Sequence, residues 1–178
     1  MAGKQAMPTQ AFDPKLFAKR VQKVRNSQKK DFYDWIDREC KSIEKGLAPF
    51  AKGKVKKEKA VAEIGKLVKL EKKELDKLEK ASKDKANYAE GIKSLEAELP
   101  DDLDPKLRLV LTKLVQTGSE LAEQERKDRE NQLAQTLQLI ARNKGAMAKV
   151  YGSDVADPIT VLSIAVALLI QYVSGKKK

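Results

Sequence analysis

The sequence predicts an all-α protein: an elongated antiparallel bundle of three long helices, followed by a short apolar helix at the carboxyl end. Three observations lead there. The 178 residues are 35 % charged and 5 % aromatic, rich in Ala, Glu, Lys and Leu, which is the composition of long helices rather than of a mixed domain. Apolar residues recur at alternating spacings of three and four along most of the chain, which lines one helical face. Asp-Pro pairs open the apolar runs at Asp13-Pro14, Asp104-Pro105 and Asp157-Pro158. Each supplies a capping acceptor followed by a residue with no N–H to leave unsatisfied.

Residues 1–12 carry no periodicity and are expected to be a flexible N-terminus. The bundle proper is expected over 13–152, and the apolar helix with its basic tail over 157–178. The first helix starts at Asp13-Pro14, with Phe12 and Phe17 placed as a hydrophobic staple across the cap. Its face runs through Phe17, Val21, Val24, Phe32, Ile36, Cys40, Ile43 and Leu47, and turns polar from Arg25 to Asp31, a weak spot. Gly46 and Pro49 predict its end near residue 47. Residues 50–59 form a Gly- and Lys-rich joint.

A second helix is expected from about Val55 to Leu99, on a heptad of Val61, Ile64, Val68, Leu75 and Leu78. Ile92 and Leu99 keep that register, and Tyr88 and Leu95 sit one place off it. Its other faces are almost all Lys and Glu, many of opposite sign three or four apart, as in EKKELDKLEK at 71–80. Pro100 ends it. The third helix follows Asp104-Pro105 with Leu107, Leu111, Leu114 and Leu121, then Leu133, Leu137, Ile140, Met147 and Tyr151. Between them EQERKDREN offers no apolar residue, so the seam there requires a polar layer or exposure to water. Gly152, Ser153 and Asp154 close this helix.

The terminal helix is expected to be capped by Asp157, with Pro158 at its first position. No residue from Ile159 to Val173 is charged. Fifteen residues at 1.5 Å span about 22 Å, short of a bilayer crossing. Thr160, Ser163, Ala167, Gln171 and Ser174 share one stripe, and the rest of the circumference is Val, Leu, Ile and Tyr. Three readings follow: a helix buried in a bundle or oligomer, an in-plane helix half inserted in a membrane, and a tail anchor rescued by tilt and bilayer thinning. In the membrane readings the inserting residues are Ile159, Val161, Leu162, Ile164, Val166, Leu168, Leu169, Ile170, Tyr172 and Val173.

The net charge is +11, and it is uneven. Residues 1–60 hold 16 basic and 7 acidic side chains, a balance of +9, whereas 61–100 balance to zero. A basic end on a near-neutral rod implies an anionic partner: lipid headgroups, nucleic acid or an acidic protein. The anion-contacting candidates are Lys52, Lys54, Lys56, Lys57 and Lys59 in the joint, and Lys176, Lys177 and Lys178 at the terminus.

Chemistry sites are missing from the pattern. The chain has no histidine and one cysteine, so the commonest general base, the usual zinc sets and any internal disulfide are excluded. No phosphate-cradling glycine motif occurs. The DDLDP carboxylates at 101–105 precede a helix start, where capping accounts for them. Trp35, with Phe32, Tyr33 and Ile36, reads as core or as an interfacial anchor, and Cys40 as a small buried hydrophobe. No enzyme activity, metal or cofactor is expected. The absence of an apolar segment in residues 1–30 and the lone cysteine suggest a cytoplasmic, reducing setting.

The segment LRLVLTKLVQTGSELAEQERKDRENQLAQTLQLI, residues 107–140, resembles in pattern the long helices of BAR-type membrane-curvature domains. That resemblance implies dimerisation into a curved rod and binding of anionic lipid through basic residues on one surface. The chain departs from it in being short and in carrying its apolar helix at the C-terminus. The functional expectation is a non-enzymatic helical protein on an anionic membrane surface, peripheral or tail-inserted, as a homo-oligomer that shapes membrane or acts as a scaffold. The alternatives are a basic structural protein that packages nucleic acid, such as a virion component, and a plain oligomerising scaffold.

Overall fold

The computed structural model describes residues 12–28, 32–85 and 88–174. They form six α-helices: α1 (Pro14–Gln28), α2 (Asp34–Ala51), α3 (Lys57–Lys85), α4 (Tyr88–Ser94), α5 (Pro105–Tyr151) and α6 (Ser153–Ser174). A 3-10 turn, Leu95–Glu98, follows α4, and no strand occurs among the described residues.

The all-α class holds, and the third expected helix has its great length. α5 spans 47 residues, about 70 Å, and is the spine. Asp104 caps it by accepting from the Leu107 N–H at 3.2 Å, and Pro105 takes the first turn. Along the first expected helix α1 and α2 are described on either side of residues 29–31, and along the second α3 and α4 on either side of residues 86–87; those joints lie outside the described residues. α1 and α4 pack in one core, α2 and α3 in another.

The larger core is a four-helix bundle of two antiparallel hairpins, α2–α3 and α5–α6, set side by side. Trp35 Nε1 donates to Glu74 at 3.1 Å and Gly46 faces Leu67, which makes α2 and α3 antiparallel. Asp37 meets Arg129 at 3.3 Å and Gly53 meets Val150, so α2 runs parallel to the end of α5. Lys57 pairs with Asp154 at 3.2 Å at the start of both α3 and α6. The smaller core lies along the first half of α5, where Phe17, Val21, Ile92, Leu95 and Leu99 close on Leu111, Val115 and Ala122.

Between the cores lies the apolar-free stretch of α5, and it forms a polar layer. Arg126 bonds Glu123, reaches Glu130 at 3.3 Å and donates to the Val173 carbonyl at 3.1 Å. Arg129 faces Asp37 and lies 5.2 Å from the centre of the Tyr33 ring. Arg25 of α1 pairs with Glu125 at 3.3 Å. Long arginine stems cover apolar neighbours while their heads stay paired.

Two helix boundaries differ from expectation. α2 continues through Pro49 to Ala51, so Gly46 is not its stop. A Cβ there would come within 2.6 Å of the Leu67 methyls, so glycine serves close packing. α6 starts at Ser153, which leaves Pro158 inside it and Asp157 without the capping role. Gly152, at φ 77, reverses the chain in one residue, and its carbonyl accepts from the Val155 and Ala156 N–H groups. Nucleation there precedes the proline. Pro158 then removes only the bond to the carbonyl of Asp154, an exposed residue whose carbonyl water can reach.

Candidate functional site

α6 is the element on which the membrane readings turn. It is 22 residues long, about 33 Å, and it is the described helix that is long and apolar enough to cross a membrane by length and composition. Its packing divides the candidate inserting residues. Ile159, Leu162, Val166, Leu169 and Val173 are buried in the four-helix core. Ile170 and Tyr172 are half-buried. Val161, Ile164 and Leu168 face outward at 40, 56 and 42 % exposure. Their spacing of three and four places them in one stripe about 10 Å long on the outer side of the helix.

The burial is substantial. Five fully buried aliphatic side chains contribute about 1.5–3 kcal/mol each on removal from water. α6 is therefore a structural member of the bundle, tied at one end by Lys57–Asp154 and at the other by Arg126 on the Val173 carbonyl. Of the small and polar stripe, Thr160 returns its hydroxyl to the Ala156 carbonyl and Ser174 to that of Gln171.

The joint lysines gather at one end of the bundle. Lys52, Lys54, Lys56, Lys57 and Lys59 are all exposed on the turn between α2 and α3. That turn is pinned to α5 because the Tyr151 hydroxyl donates to the Val55 carbonyl at 2.8 Å and Gly53, at φ 68, lies against Val150. Lys149 is exposed beside it. Glu58 and Asp154 are the nearby acids, and Asp154 engages Lys57. Lys176, Lys177 and Lys178 lie outside the described residues.

One buried acid escaped the sequence reading. Glu71, within the run read as a solvated face, is 1 % exposed and accepts from the Ser42 hydroxyl. Burial first, then hydrogen bonding with Glu39, pushes its carboxyl up to about 8. The only hint in the sequence is its place, three residues after Val68 and four before Leu75, on the core stripe. Cys40 is buried, as expected, and burial raises its thiol above the ordinary value. Trp35 is partly buried at the bundle's flank and bonded to Glu74, not displayed to solvent. No group of three or more potential metal ligands is found among the described residues.

Comparison of the chain with protein-family models, with curated proteins and with solved structures finds no match.

Proposed function

We propose that this is a non-enzymatic helical scaffold that lies along an anionic membrane surface as a peripheral protein. The carrying observation is the outward stripe of α6, Val161, Ile164 and Leu168, on a helix whose other face is held in the bundle. Lysines bracket that helix: Lys57 and its neighbours at the start, Lys176 to Lys178 following Ser174 in sequence. An apolar strip between cationic ends suits a helix lying in the plane of the headgroups. Each lysine near such a surface contributes about 1 kcal/mol and loses it with salt. A cytoplasmic setting and the BAR-type likeness of residues 107–140, all within α5, belong to the same proposal.

Spanning the bilayer with α6 would strip six aliphatic residues, Val155 among them, from the core, so the tail-anchor form is set aside. The test is flotation with vesicles of neutral and of anionic lipid. Wild-type chain is expected to float with anionic vesicles, and V161S/I164S/L168S to float less while keeping its helicity. Equal flotation of wild type with neutral and anionic vesicles, or no effect of the triple substitution, would sink the reading. A chain cut before α6 is no substitute, because it lacks a core helix. Retardation of duplex DNA without flotation would favour the nucleic-acid alternative.

A further inference from the structure

α3 carries a row of lysines on the side away from the core. Lys66, Lys69, Lys73, Lys77 and Lys80 are all exposed, and spacings of three and four put them within about a quarter of the helix circumference. Ile64, Val68, Leu75 and Leu78 are buried on the opposite side. Between Lys66 and Lys80 no carboxylate falls inside that stripe. Glu71 is buried, and Glu74 serves Trp35 and Lys77. Glu63 lies toward α2, Glu79 is half-buried on the other flank, and Glu58 and Asp76 border the row.

The neighbours of α3 fix where this row points. α2 takes the flank that carries Leu67 and Glu74, which meet Gly46 and Trp35. α6 packs on the other flank and runs parallel to α3, since each is the return helix of its hairpin and Lys57 meets Asp154 where both begin. Helices of one hand running side by side then share an outer face. α3 supplies it with Lys69, Lys72, Lys73 and Lys80, and α6 with Val161, Ile164 and Leu168. The opposite face, between α2 and α5, is also basic, with Lys41, Lys45 and Arg142 exposed. Its large aliphatic residues are covered except Val150 at one end. Lysine and exposed aliphatic side chains therefore coincide on the α3–α6 face.

We infer that the α3–α6 face is the side laid against anionic lipid, the lysine row of α3 among the headgroups and the aliphatic strip of α6 at the acyl boundary. This assignment rests on the membrane reading and adds the orientation. The row runs about 21 Å along α3, so the long axis of the bundle lies in the membrane plane. Aliphatic side chains enter the boundary while lysine stems bend to keep their ammonium groups at the phosphates. A second copy docked by the same face would gather like charges at one interface. A nucleic-acid backbone would satisfy the lysines and leave the three aliphatic residues without a counterpart.

The experiment measures partition of the full chain onto vesicles of phosphatidylcholine mixed with phosphatidylserine, by flotation. K69E/K73E/K80E reverses the row and spares Lys77, which is paired with Glu74. K41E/K45E/R142E makes the same change in net charge on the opposite face. That face stands two helix layers, about 20 Å, away, well beyond the Debye length of about 8 Å. The first variant is expected to lower partition at least about tenfold, and the second less than about threefold, both with unchanged helicity. Equal losses, or no loss in the first variant, would overturn the orientation while the membrane proposal stands. Wild type that does not float would sink both. Duplex DNA retarded by wild type but not by K69E/K73E/K80E, with flotation the same in the two, would give the row to nucleic acid and overturn the inference.

Discussion

Glu71 shows how one residue couples the bundle to pH. Its carboxyl titrates near 8 in the fold and near 4.3 in an unfolded chain. Between those values the folded state holds a proton that the unfolded state has lost, so this group stabilises the fold at low pH. Its contribution declines as pH rises from about 4.5 and is gone above about 8, a loss on the order of a few kcal/mol. Denaturant midpoints from about pH 5 to about pH 9 should therefore fall for wild type and stay flatter for Glu71→Gln, which keeps a neutral hydrogen-bonding group there. Parallel profiles would show that Glu71 does not carry the dependence.

The two sides of α6 give a second residue-scale contrast. Leu162 is fully buried and Ile164 is 56 % exposed. Leu162→Ala should cost about 2–5 kcal/mol, the usual penalty for a cavity in a packed core. Ile164→Ala should change stability by about 0.5 kcal/mol or less. Equal losses in thermal or denaturant unfolding would mean that the outward face of α6 is also packed.

At the scale of elements, the turns decide which helices meet. Gly152 carries φ 77 and ψ −162, a region essentially closed to residues with a Cβ, and it joins the two helices of the α5–α6 hairpin alone. Gly152→Ala should destabilise by about 1–3 kcal/mol. Gly145→Ala, at a site where a Cβ meets nothing within 4 Å, should stabilise by about 0.5–1 kcal/mol through helix propensity. Both are read from denaturant midpoints. Gly118 has another duty: Val21 and Ile92 close on it from either side, 3.1 and 3.3 Å from where a Cβ would stand. That close approach seats α1 and α4 against α5. Periodicity made the helical runs visible, with α1 and α2 in one run and α3 and α4 in another. It could not show where α2 ends or α6 begins, because Pro49 and Pro158 are tolerated where the lost carbonyl bond falls at a helix end.

Over the whole molecule, the two cores differ in size and share only the spine. The four-helix core buries residues from α2, α3, α5 and α6, whereas the smaller one closes α1 and α4 over a single stretch of α5. Amide exchange should therefore be faster in α1 and α4 than in α3 and α6, since fewer apolar contacts hold the smaller unit. Uniform protection would show that the polar layer of Arg25, Arg126 and Arg129 couples the cores into one cooperative unit.

Read alone, the residues specify that this protein is helical, that 105–151 are one long helix, and that the stretch at 123–131 interrupts its apolar seam. Those properties depend on spacing, capping chemistry and charge, which are local. The folded packing decided that the first two long runs each serve two cores, that the 123–131 stretch is a polar layer, that Glu71 is buried, and that α6 keeps six aliphatic side chains, Val155 among them, inside its own bundle. An apolar face specifies that it must be covered, not by what. Which surface covers it depends on contacts between residues a hundred positions apart.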